Sequence, residues 1–128
     1  METRLEAVVV PVSDADRSRH FYRALGFRLD LDMTTGDGSR VVRLTPPGST
    51  CSILFGSAIV PRLPGPSCVL LTVSDVEAAR SELVQRGAAP GPVRDLPTGV
   101  RAISFRDPDE NEWVLVEGMA IELFTPSA

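Results

Sequence analysis

Apolar residues rich in β-branched side chains form two runs in this chain, at 5–12 and 67–73. Runs of this length and composition predict buried strands. Each run ends at a Ser-Asp pair, whose side-chain oxygens can cap the first free amides of a helix. A helical pattern follows each pair and ends at a glycine, Gly26 in the first case and Gly87 in the second. The pattern therefore predicts a strand followed by a helix, twice.

The same order of features continues beyond each helix. Three shorter strands are predicted after each one, at about 27–33, 39–45 and 50–56, and at about 91–95, 100–106 and 112–117. Repeated units of nearly equal length indicate a duplicated architecture. We therefore predict an α+β fold of two tandem β-α-β-β-β modules, whose curved mixed sheets surround a ligand cavity.

The length of 128 residues is that of one domain, so we expect a single domain built from both modules. Module one should span about 4–57 and module two about 67–120. The segment between them, about 58–66, contains three prolines and is predicted to be a linker.

Charge and hydropathy exclude several classes of partner. The net charge is −4 and the basic residues are scattered, whereas nucleic-acid binding usually requires a basic stripe. The chain has no apolar run long enough for a membrane span, and its beginning does not resemble a signal peptide. We therefore expect a cytoplasmic protein that binds neither nucleic acid nor membrane, with Cys51 and Cys68 reduced.

Several segments are similar to those of a known superfamily. Val12-Ser13-Asp14 after an apolar strand, followed by Leu25-Gly26-Phe27, resembles its opening. The segment 105–111 resembles its Phe-x-Asp-Pro-Asp-Gly-Asn signature, with Glu110 in place of the glycine. On these motifs the chain resembles the vicinal oxygen chelate superfamily of glyoxalases, extradiol dioxygenases and bleomycin-resistance proteins. The resemblance implies the two-module fold but leaves the reaction open, because one scaffold hosts many functions.

The resemblance also implies where a metal ion would be bound. Metal-dependent members carry His, Gln or Glu at four positions, and the residues at these positions here are Ala7, Ser52, Cys68 and Val114. A divalent ion needs about three nitrogen or oxygen donors from such a set. We therefore expect no metal and no other cofactor.

Strand alternation predicts which side chains line the cavity. Val41, Ile103 and Val116 are assigned to its lining, which is mostly aliphatic and suits an apolar ligand. The predicted ligand-binding residues are Ala7, Val9, Arg43, Ser52, Leu54, Cys68, Leu70, Thr72, Phe105, Glu112 and Val114.

Candidate catalytic groups are few. Arg43 and Glu112 are the charged residues assigned to the cavity, and either could stabilise an oxyanion or transfer a proton, although a solvated position remains open for both. Ser52 and Cys68 lack a neighbouring base, because the single histidine, His20, lies in the first predicted helix.

Two functions remain open at this point. The first is a metal-free homodimer that holds an apolar or aromatic organic molecule, for sequestration, resistance or as a pathway accessory, as the resemblance to the bleomycin-resistance branch implies. The second is a glyoxalase-like lyase, isomerase or cyclase of specialised metabolism, with or without a metal. A homodimer is expected because such modules leave sheet edges and apolar surface to be covered.

Overall fold

The computed structural model describes residues 1–2, 5–58 and 66–118. The predicted pair of β-α-β-β-β modules is confirmed within these ranges. In chain order the elements are β1 (Ala7–Val9), α1 (Ala15–Ala24), β2 (Arg28–Thr34), β3 (Arg40–Thr45), β4 (Ser52–Phe55), β5 (Cys68–Val73), α2 (Val76–Gln85), β6 (Arg94–Asp95), β7 (Arg101–Arg106) and β8 (Glu112–Glu117).

Both helices begin and end where the sequence predicts. The side chain of Asp14 accepts a hydrogen bond from the Arg17 amide, and Asp75 accepts from two amides at the start of α2. Gly26 and Gly87 each follow a helix with φ of 93°, a conformation that costs glycine little.

The first compact unit consists of the described residues of Met1–Ser67 together with Pro108–Asn111. Its sheet has the strand order β1-β4-β3-β2, with β1 parallel to β4 and the other pairs antiparallel. The helix α1 covers one face, where the fully buried ring of Tyr22 lies 6.1 Å from that of Phe55. Val42, Leu44 and Phe55 on this face are at most 1% exposed, so they form the core of the unit.

The second unit consists of the described residues of Cys68–Asp107 and Glu112–Ala128. Its sheet repeats the topology as β5-β8-β7-β6, with β5 parallel to β8. The side chain of Glu117 on β8 accepts a hydrogen bond from the Val76 amide at the start of α2, so α2 lies on the face of Glu117. Trp113 and Leu115 share that face by alternation and are buried there.

The loop 108–111 of the signature segment belongs to the first unit because its side chains are bonded there. The Asp109 carboxylate accepts from the backbone amide and hydroxyl of Ser13, at 3.1 and 2.6 Å. Buried Asn111 donates to the Pro11 carbonyl and accepts from the Ser67 amide. These contacts give the signature residues a structural role at the start of α1.

The predicted linker at about 58–66 falls mostly outside the described residues, which omit 59–65. The single-domain assignment with its module bounds therefore stays a prediction. Among the helices of the described ranges, none is long and apolar enough to cross a membrane.

Candidate functional site

Each sheet has one face covered by its own helix and a second face turned away from it, which we call the distal face. On the first unit, the register pairs Ala7 with Ser52, Val9 with Leu54, and Leu54 with Arg43. Directly opposed residues point to the same side of a sheet, and Val42, Leu44 and Phe55 occupy the helix side. The five predicted lining residues of this unit therefore lie together on its distal face.

The strand β2 adds two apolar side chains to this face that the sequence analysis did not assign. Leu31 lies opposite Arg43 and Met33 lies opposite Val41. Their exposed fractions are 40% and 47%. The distal face of the first unit thus combines exposed aliphatic side chains with half-buried Ala7 and Leu54.

Arg43 is paired with an acid on the first unit. Its guanidinium lies 2.8 Å from a carboxylate oxygen of Glu6, and this contact raises the pKa of Arg43 above its ordinary value. Because Glu6 comes just before β1 and Arg43 lies on β3, the pair reaches across β4 between them. A ligand group that binds Arg43 must share or displace this carboxylate.

A chain of polar side chains lies beside this ion pair. The hydroxyl oxygens of Ser52 and Thr45 are 2.7 Å apart, and the Thr45 hydroxyl also donates to the carboxylate of Asp30. The second oxygen of Asp30 accepts from Nε of Arg28 at 2.6 Å. Thr45 and Ser52 are buried, so this chain satisfies two hydroxyls that would otherwise cost free energy in an apolar environment.

The distal face of the second unit carries the other predicted residues. The register pairs Cys68 with Glu112, Leu70 with Val114, and Thr72 with Val116. Cys68, Leu70 and Thr72 are exposed, whereas Glu112 and Val114 are half-buried. This face is therefore aliphatic at its centre, with a thiol and a carboxylate side by side at one end.

The prediction that Phe105 and Ile103 belong to this lining is wrong. Phe105 lies opposite Trp113 and Ile103 lies opposite Leu115, so both point toward α2. The rings of Phe105 and Trp113 are stacked, with centroids 6.0 Å apart. Both residues are buried in the core, with Ile103 completely inaccessible.

The error came from where the two halves differ in length. The loop between β3 and β4 spans residues 46–51, whereas that between β7 and β8 spans 107–111. The prediction placed β7 one residue out of register with β3, and a shift of one residue turns every side chain to the other face. The β7 residues on the distal face are Ala102, Ser104 and Arg106.

Arg106 is the most consequential residue that the sequence analysis missed. It lies directly opposite Glu112, whose neighbour on the other side is Cys68. Glu112 therefore has a cationic residue and a thiol as its cross-strand neighbours. Gly38 and Gly99 both have φ of 86°. Aligning the two modules on these glycines gives the correct register for β7 and would have placed Arg106 on this face.

The structure also changes the set of positions at which a metal would be bound. By register, Glu112 rather than Val114 is the counterpart of Ser52, because it is the residue paired with the first position of β5. The two positions in the first unit are occupied by Ala7, which has no metal-binding group, and by Ser52, whose hydroxyl is bonded to Thr45. The two positions in the second unit are occupied by the thiol of Cys68 and the carboxylate of Glu112.

This donor set does not suit a divalent cation, which in such proteins is held by several imidazole and carboxylate groups. Within residues 1–2, 5–58 and 66–118, no three His, Cys, Asp or Glu side chains are grouped so that they could hold a metal ion.

Ser52 does not have the surroundings of a catalytic nucleophile. The partner of the Ser52 hydroxyl is Thr45. His20 lies in α1, which covers the opposite face of the sheet from Ser52, and it is exposed. An activated nucleophile needs a base within hydrogen-bond reach, so Ser52 is suited to contact a ligand rather than attack it.

The sequence and the fold of this chain are similar to those of known proteins. A family model described as Glyoxalase/Bleomycin resistance protein/Dioxygenase superfamily matches residues 4–115. TnmS3, an antibiotic binding protein from Streptomyces sp. CB03234, is 29% identical, with a TM-score of 0.76 over 92% of this chain and 98% of that chain. No curated protein matches the sequence.

Two further solved structures are similar over most of their length. A member of the same superfamily from Sphaerobacter thermophilus DSM 20745 is 31% identical, with a TM-score of 0.76, covering 91% of this chain and 98% of that one. A glyoxalase/bleomycin resistance protein from Streptomyces sp. CB03234 is also 31% identical, with a TM-score of 0.70, covering 88% of this chain and 99% of that one.

Proposed function

Because this chain belongs to the Glyoxalase/Bleomycin resistance protein/Dioxygenase superfamily, we propose that it holds a small apolar or aromatic organic molecule, without a metal and without changing it chemically. One observation carries this proposal. The distal faces present aliphatic side chains that the helices of the chain leave uncovered, among them Leu31, Met33 and Leu70, which are 40–48% exposed. Apolar walls with a few placed polar groups are typical of small-molecule sites.

The polar groups on these faces support binding rather than catalysis. Arg43 is already paired with Glu6, and Ser52 is bonded to Thr45. Such groups can orient a ligand by directional contacts, but none forms a nucleophile–base pair. The similarity to TnmS3, an antibiotic binding protein, supports the same function. We also propose a cytoplasmic setting, which suits the free thiols of Cys51 and Cys68.

A fluorescent probe of apolar sites tests this proposal. 1-Anilinonaphthalene-8-sulfonate has an aromatic body for the distal face and an anion for Arg43. We expect saturable binding of the probe to the native protein, and about tenfold weaker binding to Arg43→Met, which keeps the apolar stem but loses the charge. Arg23→Met, at an exposed position on α1, is the control and should bind the probe like the wild type.

The outcome separates specific binding from adhesion to exposed apolar surface. If the titration does not saturate, or if the two arginine variants behave alike, the first distal face is not a ligand site. Circular dichroism of each variant shows whether its fold is retained.

A second candidate function is favoured by the surroundings of Glu112. This carboxylate lies between Cys68 on one neighbouring strand and Arg106 on the other, so it could transfer a proton to a bound molecule. In that case Glu112→Gln should abolish conversion of the bound molecule while its binding survives. If the protein only binds the molecule, as we propose, the molecule is released with its mass unchanged from both the wild type and Glu112→Gln.

A further inference from the structure

The polar chain on the distal face of the first unit has a defined direction. It runs from Ser52 on β4 through Thr45 on β3 to Asp30 on β2, and Arg28 closes it at the far end. Ser52 and Thr45 are 4% and 3% exposed, so water competes little for their hydroxyls. The positions of the protons in the chain therefore depend on its own members.

The acid fixes which atom donates in each bond. The hydrogen bond from Thr45, supported by that from Arg28, holds the pKa of Asp30 below its usual value, so this carboxylate is ionised and can only accept. Thr45 has a single hydroxyl proton, and it donates that proton to Asp30. The remaining bond must then run from the Ser52 hydroxyl to the Thr45 oxygen. Ser52 is left with lone pairs and without a proton to offer.

The backbone of β2 is shaped to supply this carboxylate. Leu29 lies opposite Leu44, but Leu31 lies opposite Arg43, so Asp30 is the extra residue of a β-bulge. A bulge lets an additional side chain reach a face that regular alternation would deny it. Here it brings an acid onto the distal face, where Thr45 is its partner.

We infer that Ser52 is an obligate hydrogen-bond acceptor for the bound molecule, which must therefore carry a donor, a hydroxyl or an N–H group, on an otherwise apolar body. The inference rests on the function proposed above and specifies the ligand further. The side chains around Ser52 on its own face are apolar or small: Ala7 is its partner on β1, and Leu54 is the next residue of β4 on this side. A site built around an unmatched acceptor rejects ligands that lack the donor.

The polar chain could instead have only a structural role, which is to join the three strands β2, β3 and β4. A purely structural chain would influence all ligands alike, because its loss would loosen the whole face. A recognition role predicts a difference between ligands of the same shape that differ in one proton. The test therefore compares two probes in the same protein.

The probes are 2-naphthol, which has a donor, and 2-methoxynaphthalene, which has the same ring and oxygen without the proton. Dissociation constants are measured by titrations that follow amide chemical shifts in β3 and β4. Wild-type protein should bind 2-naphthol about fivefold more tightly. Ser52→Ala should bring the ratio of the two constants close to one, mainly by weakening 2-naphthol.

Thr45→Val tests the direction of the chain, because it keeps the shape of the side chain and frees the Ser52 proton. Ser52 can then donate as well as accept, so 2-methoxynaphthalene should bind more tightly and the ratio should fall. Thr34→Val, at an exposed position of β2, is the control and should leave the ratio unchanged. Thermal melting of each variant shows that the fold survives.

The possible results separate this inference from the proposed function. If both probes bind wild-type protein equally, or if the ratio persists in Ser52→Ala, Ser52 is not the acceptor, although the face still binds small molecules. If neither probe shifts any amide of β3 or β4 at millimolar concentration, the ligand site itself is wrong and the inference falls with it.

Discussion

Glu110 occupies a backbone conformation that ordinarily favours glycine. Its φ is 67°, and among the described residues it is the one non-glycine residue with a positive φ. The position is the one at which the superfamily signature usually has glycine. The departure from the signature is therefore a local source of strain, because a Cβ atom in this region crowds the following carbonyl group.

Replacing Glu110 by glycine should stabilise the protein. Relief of the left-handed conformation is worth about 1–2 kcal/mol, and the greater freedom of glycine in the unfolded chain offsets about 0.4–1 kcal/mol of it. We expect a net increase of about 0.5–1 kcal/mol in the free energy of unfolding, measured by urea denaturation.

Glu110→Ala is the matched control for this substitution, since it removes the carboxylate but keeps the Cβ atom and its strain. It should not reproduce the gain. An equal gain in both variants would assign the effect to the carboxylate and its contacts rather than to the backbone.

At the scale of the elements, an ion-pair cluster joins α1 to the first sheet. Asp32 of β2 is hydrogen-bonded to Arg40 of β3 and to Arg19 of α1, and Arg40 also contacts Asp16 of α1. The hydrogen bond from Arg40 has the largest effect on the pKa of Asp32, and the hydrogen bond from Arg19 adds to it. Together they lower this pKa from 3.8 to about 2. The side chains of Arg40 and Asp32 at its centre are about three-quarters buried, so salt screens their attraction less than that of an exposed pair.

Acid should weaken this cluster in a defined pH range. A carboxyl group with a lowered pKa in the folded protein stabilises the fold above its unfolded pKa, and this contribution is lost as the pH falls. The contribution of Asp32 is therefore complete above about pH 4 and disappears toward pH 2. At pH 6, Asp32→Asn should reduce the free energy of unfolding by about 1–2 kcal/mol.

The measurement is a set of thermal or urea unfolding curves between pH 2 and pH 6. The difference between Asp32→Asn and wild type should shrink as the pH falls through this range. Asp95→Asn, at an exposed position of β6, controls for the removal of one negative charge. A difference that stays constant with pH would show that Asp32 contributes by packing and not by its charge.

The elements also show how far the sequence could be interpreted. Apolar runs, Ser-Asp caps and terminal glycines predicted both helices and the approximate positions of the strands along the chain, because these features are local. Registers in the first unit were predicted correctly, with Val41 and Arg43 on one face and Val42 and Leu44 on the other. Alternation alone was enough there.

Two features of the site could not be predicted by alternation. The loop before β8 is one residue shorter than its counterpart, and the exact place of that difference decides whether Phe105 or Arg106 faces a ligand. The bulge at Asp30 leaves no mark in the hydrophobic pattern, since an extra residue in an edge strand is set by pairing with its neighbour. The acid of the polar chain was missed for that reason.

Within residues 1–2, 5–58 and 66–118, several apolar side chains and sheet edges are left uncovered. Leu31 and Met33 are exposed on β2, which is an edge strand of the first sheet, and β5 is an edge strand of the second. Proteins usually cover such surfaces by association. We therefore propose that the protein is a homodimer.

Light scattering at micromolar concentration tests this prediction. The expected mass is about twice the 13.8 kDa of one chain. A monomer at all accessible concentrations that still binds the naphthalene probes would contradict the dimer and leave the ligand site intact.

We propose that this protein holds an organic molecule without a metal and releases it unchanged. Native mass spectrometry of protein purified gently from its own host tests the claim most directly. We expect the protein to carry one recurring organic adduct, which is released on denaturation and has the same mass after prolonged incubation with the protein. Protein whose mass corresponds to the bare chain, protein that carries only a metal ion, or an adduct that is converted with time would contradict the claim.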